Sequence, residues 1–575
     1  MKKITLFILV FLFQYSSYSQ HTYNRIWGEI HTISNWVRLT ALNNKTGTFY
    51  INYEIDSFGT IYQLDPENNS QNFFFSFSAG VPILKDEHNV RLDKIVVDND
   101  NNVIIYGRTH NDGFGTPGTY RSTPFPYVFF IGYTFIAKIS SSGNLIWCTY
   151  FHDLSQNQDN LTIDNNNNIY VLTKRPKSTI LASTAYQSTG DQNSLQEYQD
   201  VISKLDRNGN HLWSTFYFNE NSEINSISAS ANGLYVYGVY KGANSSNTFF
   251  STSNSFQEHP SLPGGTENAT VFLTKFNFNG NRLWSTYFGK IKSKATVNDS
   301  SFPKTLVTID DDAYILNINE SASPQNYMST SNTYLTTPAY IGQNNTLTKF
   351  SGNGNREWTT YLYGGNVLQK TPNNELLISG YIIEGTQNPA QLITQNAFQS
   401  THGGASDIYM SLFSLDGKDL LYGSYYGYEG EDTGIIYPVK NGVMIYGTSY
   451  GNNSKNSLFS TKNQSLFGSV SGYYWGYLSA FFKHQNLNTH NLDKDKLNFN
   501  IFPNPATNFI NIETDVEISG NNTFTIFNTA GRKVWHQQAT NSHTHQINVS
   551  NLSSGVYILQ IKGDGINQSH KFIKK

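Results

Sequence analysis

A single cysteine, Cys148, stands in 575 residues, so no disulfide can form within the chain. Charged residues are scarce too, at 14%, and the formal net charge is −3. So mild a charge excludes a broad electrostatic drive toward nucleic acid or anionic lipid. Beyond the opening segment Met1 to Phe13, no run is long and apolar enough to cross a membrane, so no transmembrane segment is expected in the mature chain. The helix formers Ala, Glu, Lys and Leu do not dominate. Also missing are a nucleophile elbow, a His-Glu-x-x-His pair, a phosphate loop and a paired-cysteine metal site. What is plentiful is aromatic, at 15%, set among Asn, Ser, Thr and Gly. That composition makes many short strands joined by polar turns. A chain of this length exceeds one compact core, so several domains or a repeat array are expected.

Residues 1–19 read as an export signal. Lys2 and Lys3 give a positive start, and Ile4 to Phe13 give a mostly apolar core too short to span a bilayer. Ser17 and Ser19 are small residues at −3 and −1 of a cut between Ser19 and Gln20. Cleavage removes two lysines and leaves the charge mildly negative.

Repeats organise the middle of the chain. Four copies of one hairpin match well: FIAKISSSGNLIWCTYF from Phe135, VISKLDRNGNHLWSTFYF from Val201, FLTKFNFNGNRLWSTYFG from Phe272 and LTKFSGNGNREWTTYLYG from Leu347. A fifth, from Met410, has one extra residue after its turn and puts Tyr422 in the tryptophan slot. Each apolar run meets a turn dipeptide, Ser142-Gly143, Asn208-Gly209, Asn279-Gly280, Asn353-Gly354 or Asp416-Gly417. These suit a type I′ turn, whose two central residues need positive φ. Trp147, Trp213, Trp284 and Trp358 each follow the glycine by four residues, at spacings of 66, 71 and 74. They are expected in the core, since a ring of exposed aromatics stacking on sugar is the lesser reading. Cys148 falls where other copies carry Ser214 and Ser285, so a packed small residue is expected there rather than a reactive thiol.

A second hairpin, broken by an Asn/Asp/Gly turn, lies between these. Its copies start at Ile95, Leu161, Ile227, Leu306, Leu368 and Ile435, with a weaker one at Val37. Faint Trp-type copies occur near Ile61–Phe77 and Tyr473–Phe482. A third marker, Tyr186-Gln187-Ser188-Thr189 and Phe398-Gln399-Ser400-Thr401, with looser forms at Tyr120 and Tyr334, precedes several hairpins. Two hairpins per unit make four strands, the content of one propeller blade. Residues 20–485 divided by seven give about 67 each, close to the observed spacing. Six and eight blades stay open because the terminal copies are weak, and a linear solenoid is the alternative architecture. Closure is favoured because it hides strand edges.

The string F/Y-Q-S-T, then K-F-x-x-x-G-N, W-S-T-Y-F-G, an Asn/Asp-rich turn and Y-V-x-G resembles the bacterial seven-bladed β-propeller repeat over about four-fifths of the chain. That resemblance implies an exported propeller and no catalytic residues.

After a polar linker at 486–496 the pattern changes. In Asn498 to Ala506, Pro503 and Pro505 lack donor N–H groups, so this is a lead-in segment or an edge. Short strands are expected at Phe509–Ile512, Phe524–Phe527, Lys533–Trp535, Gln546–Val549, Val556–Ile561 and Ser569–Ile573, forming a small immunoglobulin-like sandwich. Residues 497–575 closely resemble the type A C-terminal sorting domain of the bacterial type IX secretion system. The carrying pieces are Phe502-Pro503-Asn504-Pro505-Ala506, the Gly531 block from Phe527 to Val534, the block from Leu552 to Leu559 with Gly555 and Tyr557, and the basic end from Lys571 to Lys575 with Lys574. The resemblance implies passage across a Gram-negative outer membrane by that machinery, with the protein then released or held at the surface.

Candidate chemistry is sparse. No catalytic, cofactor-binding or metal residues are assigned. His543 and His545 read as an exposed strand face. Calcium is the one cation weighed, because Asp98 to Asn102, Asp164 to Asn168 and Asp310 to Asp312 offer several oxygens per turn. The same residues also make good turns unaided. Glu429, Glu431 and Asp432 read as a solvated loop. Tyr473, Tyr474 and Trp475, outside the repeat, are candidates for a ligand surface. The leading expectation is a non-catalytic binding or adhesion module with a glycan or protein ligand. A surface-layer structural component and an extracellular polysaccharide hydrolase or lyase are the rivals. An enzyme should gather two carboxylates about 5–10 Å apart in one pocket.

Overall fold

The computed structural model describes residues 21–31, 37–53, 59–77, 90–124, 132–151, 161–261, 268–292, 305–317, 329–337, 345–383, 391–428, 430–451, 474–486, 499–529, 532–563 and 566–575. The export segment with Ser19 and Gln20, the linker from 487 onward, Glu429, Tyr473 and Gly531 lie outside these residues, as do the side chains of Tyr474 and Trp475. Every named element is a strand. The chain divides into two compact units, 21–485 and 486–575.

The first unit is a seven-bladed propeller. Five blades are four-stranded antiparallel meanders in consecutive order, spanning 37–75, 91–151, 161–216, 222–292 and 306–362. Blade 6 spans 367–426. Blade 7 takes three strands from 431–486 and its outermost strand, His21–His31, from the other end of the chain. A single parallel bridge, Ser406↔Glu431, joins the sheets of blades 6 and 7. The Trp-type hairpin expected at Tyr473–Phe482 is therefore not a hairpin. Tyr474–Asn486 is one strand, and its outer partner comes from the N-terminal segment. The ring shuts because one sheet holds both ends of the unit.

Seven aromatic-rich cores lie between neighbouring blades, one for each junction, and the seventh joins Val439, Met444 and Phe481 of blade 7 to Val37, Phe49 and Ile51 of blade 1. This cyclic set fixes the blade count at seven and excludes a linear solenoid. Second strands such as Leu234–Tyr240 are buried along their whole length, because a neighbouring blade covers each face.

The repeated turns differ from the sequence expectation. Only the glycine has positive φ: Gly143 (84°), Gly209 (82°), Gly280 (84°), Gly354 (86°) and Gly417 (71°). The loop is wider than a type I′ turn because its first residue ties it up. Asp206 accepts the amides of Asn208 and Asn210 on Oδ1, at 2.8 and 2.9 Å, while its own amide donates to the Asn210 carbonyl and the Gly209 amide donates to the Asp206 carbonyl. That is a type I turn with a G1 bulge. The tryptophan of each blade packs against the glycine of the next. A Cβ on Gly209, Gly280, Gly354 or Gly417 would come within 2.6–3.2 Å of the ring of Trp147, Trp213, Trp284 or Trp358 respectively. Each indole N–H donates to the same turn's carbonyl: Trp147 to Arg207, Trp213 to Phe278, Trp284 to Gly352 and Trp358 to Leu415, at 3.0–3.2 Å. The rings are thus inter-blade pins. Trp147 and Trp358 are buried, whereas Trp213 and Trp284 are half-buried.

The second unit packs seven strands as a three-stranded and a four-stranded sheet around Ile510, Ile512, Phe524, Leu559 and Phe572. Phe499–Phe502 is an edge strand that stops at Pro503.

Candidate ligand-binding channel

The innermost strand of every blade faces the propeller axis. Where they converge lies a cavity of about 380 Å³. All seven blades contribute to its wall, and its polar groups are Thr40, Asn44, Lys94, Thr162, Ser228, Thr308, Gln369 and Lys370. Some of these groups knit the ring. The Ser228 and Thr308 hydroxyls lie 2.9 Å apart, Thr162 Oγ1 accepts the Ala229 amide at 3.1 Å, and the Gln369 amide donates to the Ile436 carbonyl at 2.6 Å. Phe49 and Tyr437 add aromatic surface. Among the described lining residues there is no carboxylate. Lys370 is exposed to the channel. Burial among the surrounding strands lowers its ammonium pKa, and the Asp310 charge opposes that shift.

The acidic turns spend their oxygens locally. Asp98 accepts the amides of Asp100 and Asn102, the Asn102 side chain, and Lys138 Nζ at 2.7 Å. Burial works against its charge, but these donors prevail and hold the carboxyl below its ordinary range. Asp164 accepts two amides, the Asn168 side chain and the Tyr170 hydroxyl. Asp311 takes Lys275 and the Ser230 hydroxyl. Among the described residues no three His, Cys, Asp or Glu side chains converge as metal ligands. The turns also bind one another across blades: Asn167 Nδ2 donates to Asp100 Oδ2 at 2.7 Å, and Arg207 pairs with the same carboxylate.

Lysines at one slot of the repeat carry a role the sequence reading missed. Lys138, Lys204 and Lys275 donate to the carbonyls of Arg207, Phe278 and Gly352, the oxygens their blade's indole also reaches. The signal was present as the lysine of the K-F-x-x-x-G-N string.

Two other acids are placed unexpectedly. Asp432 is fully buried at the start of the first strand of blade 7, not in a solvated loop, while Glu431 beside it is exposed. The neighbouring Asp407 is also at zero exposure. Asp407 accepts the Gly403 amide and the Gln399 side chain, and Asp432 accepts the Tyr428 amide at 2.6 Å. Burial pushes Asp432 up to about 6, with the Asp407 charge adding and the His402 charge opposing. Burial also raises Asp407. Neither is open to a substrate. Cys148 is buried, which pushes its thiol pKa up.

In the sandwich, the sorting pieces that are far apart in sequence come together. Ala506 N donates to the Ile573 carbonyl, Lys575 N to the Ala506 carbonyl, and Ile573 N to Asn504 Oδ1, at 2.7–2.9 Å. Ala506 also bridges Lys574. Pro503 and Pro505 flank this clamp. Gly555 begins a strand, and Tyr557 stacks on Phe572 and donates to the Ser553 carbonyl. His543 is exposed, whereas His545 is half-buried against Phe524.

Residues 500–575 match the family described as the secretion system C-terminal sorting domain. The chain therefore carries a type IX sorting tail, which marks a secreted or cell-surface protein. No curated protein matches the chain. Similar solved structures include hydrazine synthase of Kuenenia stuttgartiensis, at 10% identity and TM-score 0.33, covering 68% of this chain and 79% of that one. An uncharacterised Listeria monocytogenes protein gives 7% and 0.35, covering 73% and 94%. The C-terminal WD40 domain of Sif2 gives 7% and 0.31, covering 80% and 98%. Likenesses at this level carry nothing about ligand or activity.

Proposed function

We propose that this chain is an exported, non-catalytic binding module that holds its ligand at the central channel of the propeller. Residues 1–19 serve as the first export signal, cut between Ser19 and Gln20, and the sandwich carries the propeller across the outer membrane to the surface or the medium. The observation that supports binding is the channel wall itself: hydroxyls, amides, the exposed Lys370 and aromatic surface, with no carboxylate among the described lining residues. A glycosidase or lyase of the usual kind needs a pair of reachable carboxylates. Here the paired acids, Asp407 and Asp432, are sealed between blades 6 and 7. The reading requires no cofactor, and it makes a glycan or another small polar ligand the natural partner.

Glycan-array binding and turnover assays on the mature protein test this. Binding without turnover is expected. Turnover abolished by a single Asp or Glu substitution would overturn the non-catalytic reading.

A further inference from the structure

The two sealed acids of blades 6 and 7 stand where the repeat does not call for charge. Ten residues before the turn glycine, other blades carry Tyr133, Gln199, Thr270 and Asn344, whereas blade 6 carries Asp407. Asp432 likewise takes the place of Ser222 in blade 4. Each lies two residues before the one that pairs with the second strand's glycine, Gly447 or Gly238. The register supplies no cation either. Asp407 pairs across with Ile382, whereas the neutral Gln199 pairs with Arg175. Of the cationic groups nearby, Arg25 lies over the Phe398 ring, and His402 can offset one charge of the two at most.

Each carboxylate is hydrogen-bonded through one oxygen only. Oδ2 of Asp407 takes the Gly403 amide and the Gln399 side chain, and Oδ2 of Asp432 takes the Tyr428 amide. Both Oδ1 atoms are buried with no hydrogen-bond partner, and the two charges feel each other. Two glycines keep this space clear. A Cβ on Gly427 would collide with Asp407 Oδ1, and one on Gly403 would stand 2.9 and 3.0 Å from the Gly427 and Tyr428 carbonyl oxygens. Two buried carboxylates without a counter-charge are costly. We infer that this junction holds a calcium ion, bound by Oδ1 of Asp407 and of Asp432 together with backbone carbonyls of Gly427 and Tyr428. Its two charges match the pair, and an all-oxygen set suits a hard cation. No third His, Cys, Asp or Glu side chain converges among the described residues, which disfavours a transition metal. Without the cation, protons alone are left to neutralise the pair. The ion fastens blade 6 to blade 7 beside their parallel bridge, Ser406↔Glu431, and is separate from any ligand of the channel.

Thermal melts of the mature protein are compared in excess EGTA, in millimolar calcium and in equal magnesium. Calcium should raise the melting temperature by several degrees, as a ligand bound only by the folded state does, and magnesium should not. Terbium, a stand-in for calcium, should give luminescence sensitised by Tyr425 and Tyr426, which lie in the fields of Asp407 and Asp432. Added calcium should displace it. Asp407→Asn and Asp432→Asn should each abolish the calcium shift and the terbium signal. In EGTA both should melt above wild type, because one buried charge is gone. No calcium shift in wild type, an equal shift with magnesium, or a shift and terbium signal that survive both Asn substitutions would each overturn the inference.

Discussion

At the residue scale, the turn glycines do two separable things, and one pair of substitutions divides them. Gly280 has φ 84°, and a Cβ there would meet the Trp213 ring at 3.2 Å. Gly118 has φ 87° with nothing within 4 Å. Gly118→Ala should cost only the left-handed backbone penalty, about 1–2 kcal/mol. Gly280→Ala should cost that plus about 1–3 kcal/mol for displacing the indole. Equal costs in denaturant melts would mean that the indole does not press on the turn. Trp284→Ala should cost about 3–5 kcal/mol, since it removes the ring and its bond to Gly352. The sequence made the Trp–Gly spacing visible within one hairpin. It hid that the ring meets the glycine of the next blade, because that contact reaches a whole repeat further along the chain. The buried acid pair was equally hidden, since nothing in Glu431-Asp432 distinguishes an exposed acid from a sealed one. A carboxyl raised to about 6 when folded binds more protons folded than unfolded between pH 4 and 6. Stability from this group therefore falls as pH rises through that window, by about 3 kcal/mol. Asp432→Asn should flatten the dependence and raise the melting temperature at pH 7–8. A pH profile identical to wild type would contradict the sealed-charge account.

At the element scale, the third marker acquires a physical meaning. In blade 3 the Phe216 amide donates to the Gln187 carbonyl, and in blade 6 the Tyr425 amide donates to that of Gln399. The Gln187 side chain bonds both polar groups of the Phe218 backbone. The loop before each of these hairpins thus returns along the outermost strand and occupies its bare edge, which discourages pairing with other chains. The sequence displayed the motif but not its target, because the bond runs from a loop to the last strand of the hairpin that follows. Blade 7 solves the same problem with a strand, His21–His31. Tyr23 from that strand packs against Tyr422 and His484, with ring centroids 4.8 and 4.9 Å apart. Deleting 21–31 behind the signal should leave Tyr474–Asn486 as an open edge beside an uncovered core. Light scattering should then show concentration-dependent association, and thermal melts should lose cooperativity. A monomeric variant with an unchanged melt would mean that the strand does not close the ring.

At the scale of the whole molecule, scaffold and ligand site differ in how they are written. The scaffold repeats: one tryptophan, one turn glycine and one lysine recur from blade to blade because each blade solves the same packing problem. The channel wall repeats less strictly: Thr162, Ser228 and Thr308 keep a short hydroxyl on three inner strands, whereas Gln369 and Tyr437 depart from it on two others. No local string could announce a site assembled from single residues hundreds of positions apart. The sorting tail was legible for the opposite reason, since its blocks fall within one short stretch, 500–575. Its clamp of Asn504 and Ala506 on Ile573 and Lys575 suggests why the distant Pro503–Pro505 and Lys574–Lys575 pieces go together: each segment holds the other in place on the sheet edge. Removing 497–575 should leave a folded propeller trapped inside the outer membrane, found in periplasmic extracts with the same melt as the intact protein. Fusing 497–575 behind an unrelated exported reporter should carry that reporter to the surface or the medium. Asn504→Ala, which removes the acceptor for the Ile573 amide, should reduce transfer of the reporter without unfolding the sandwich, whose core lies elsewhere. Secretion undiminished by the deletion would end the sorting assignment. Full transfer by Asn504→Ala would separate the assignment from the clamp.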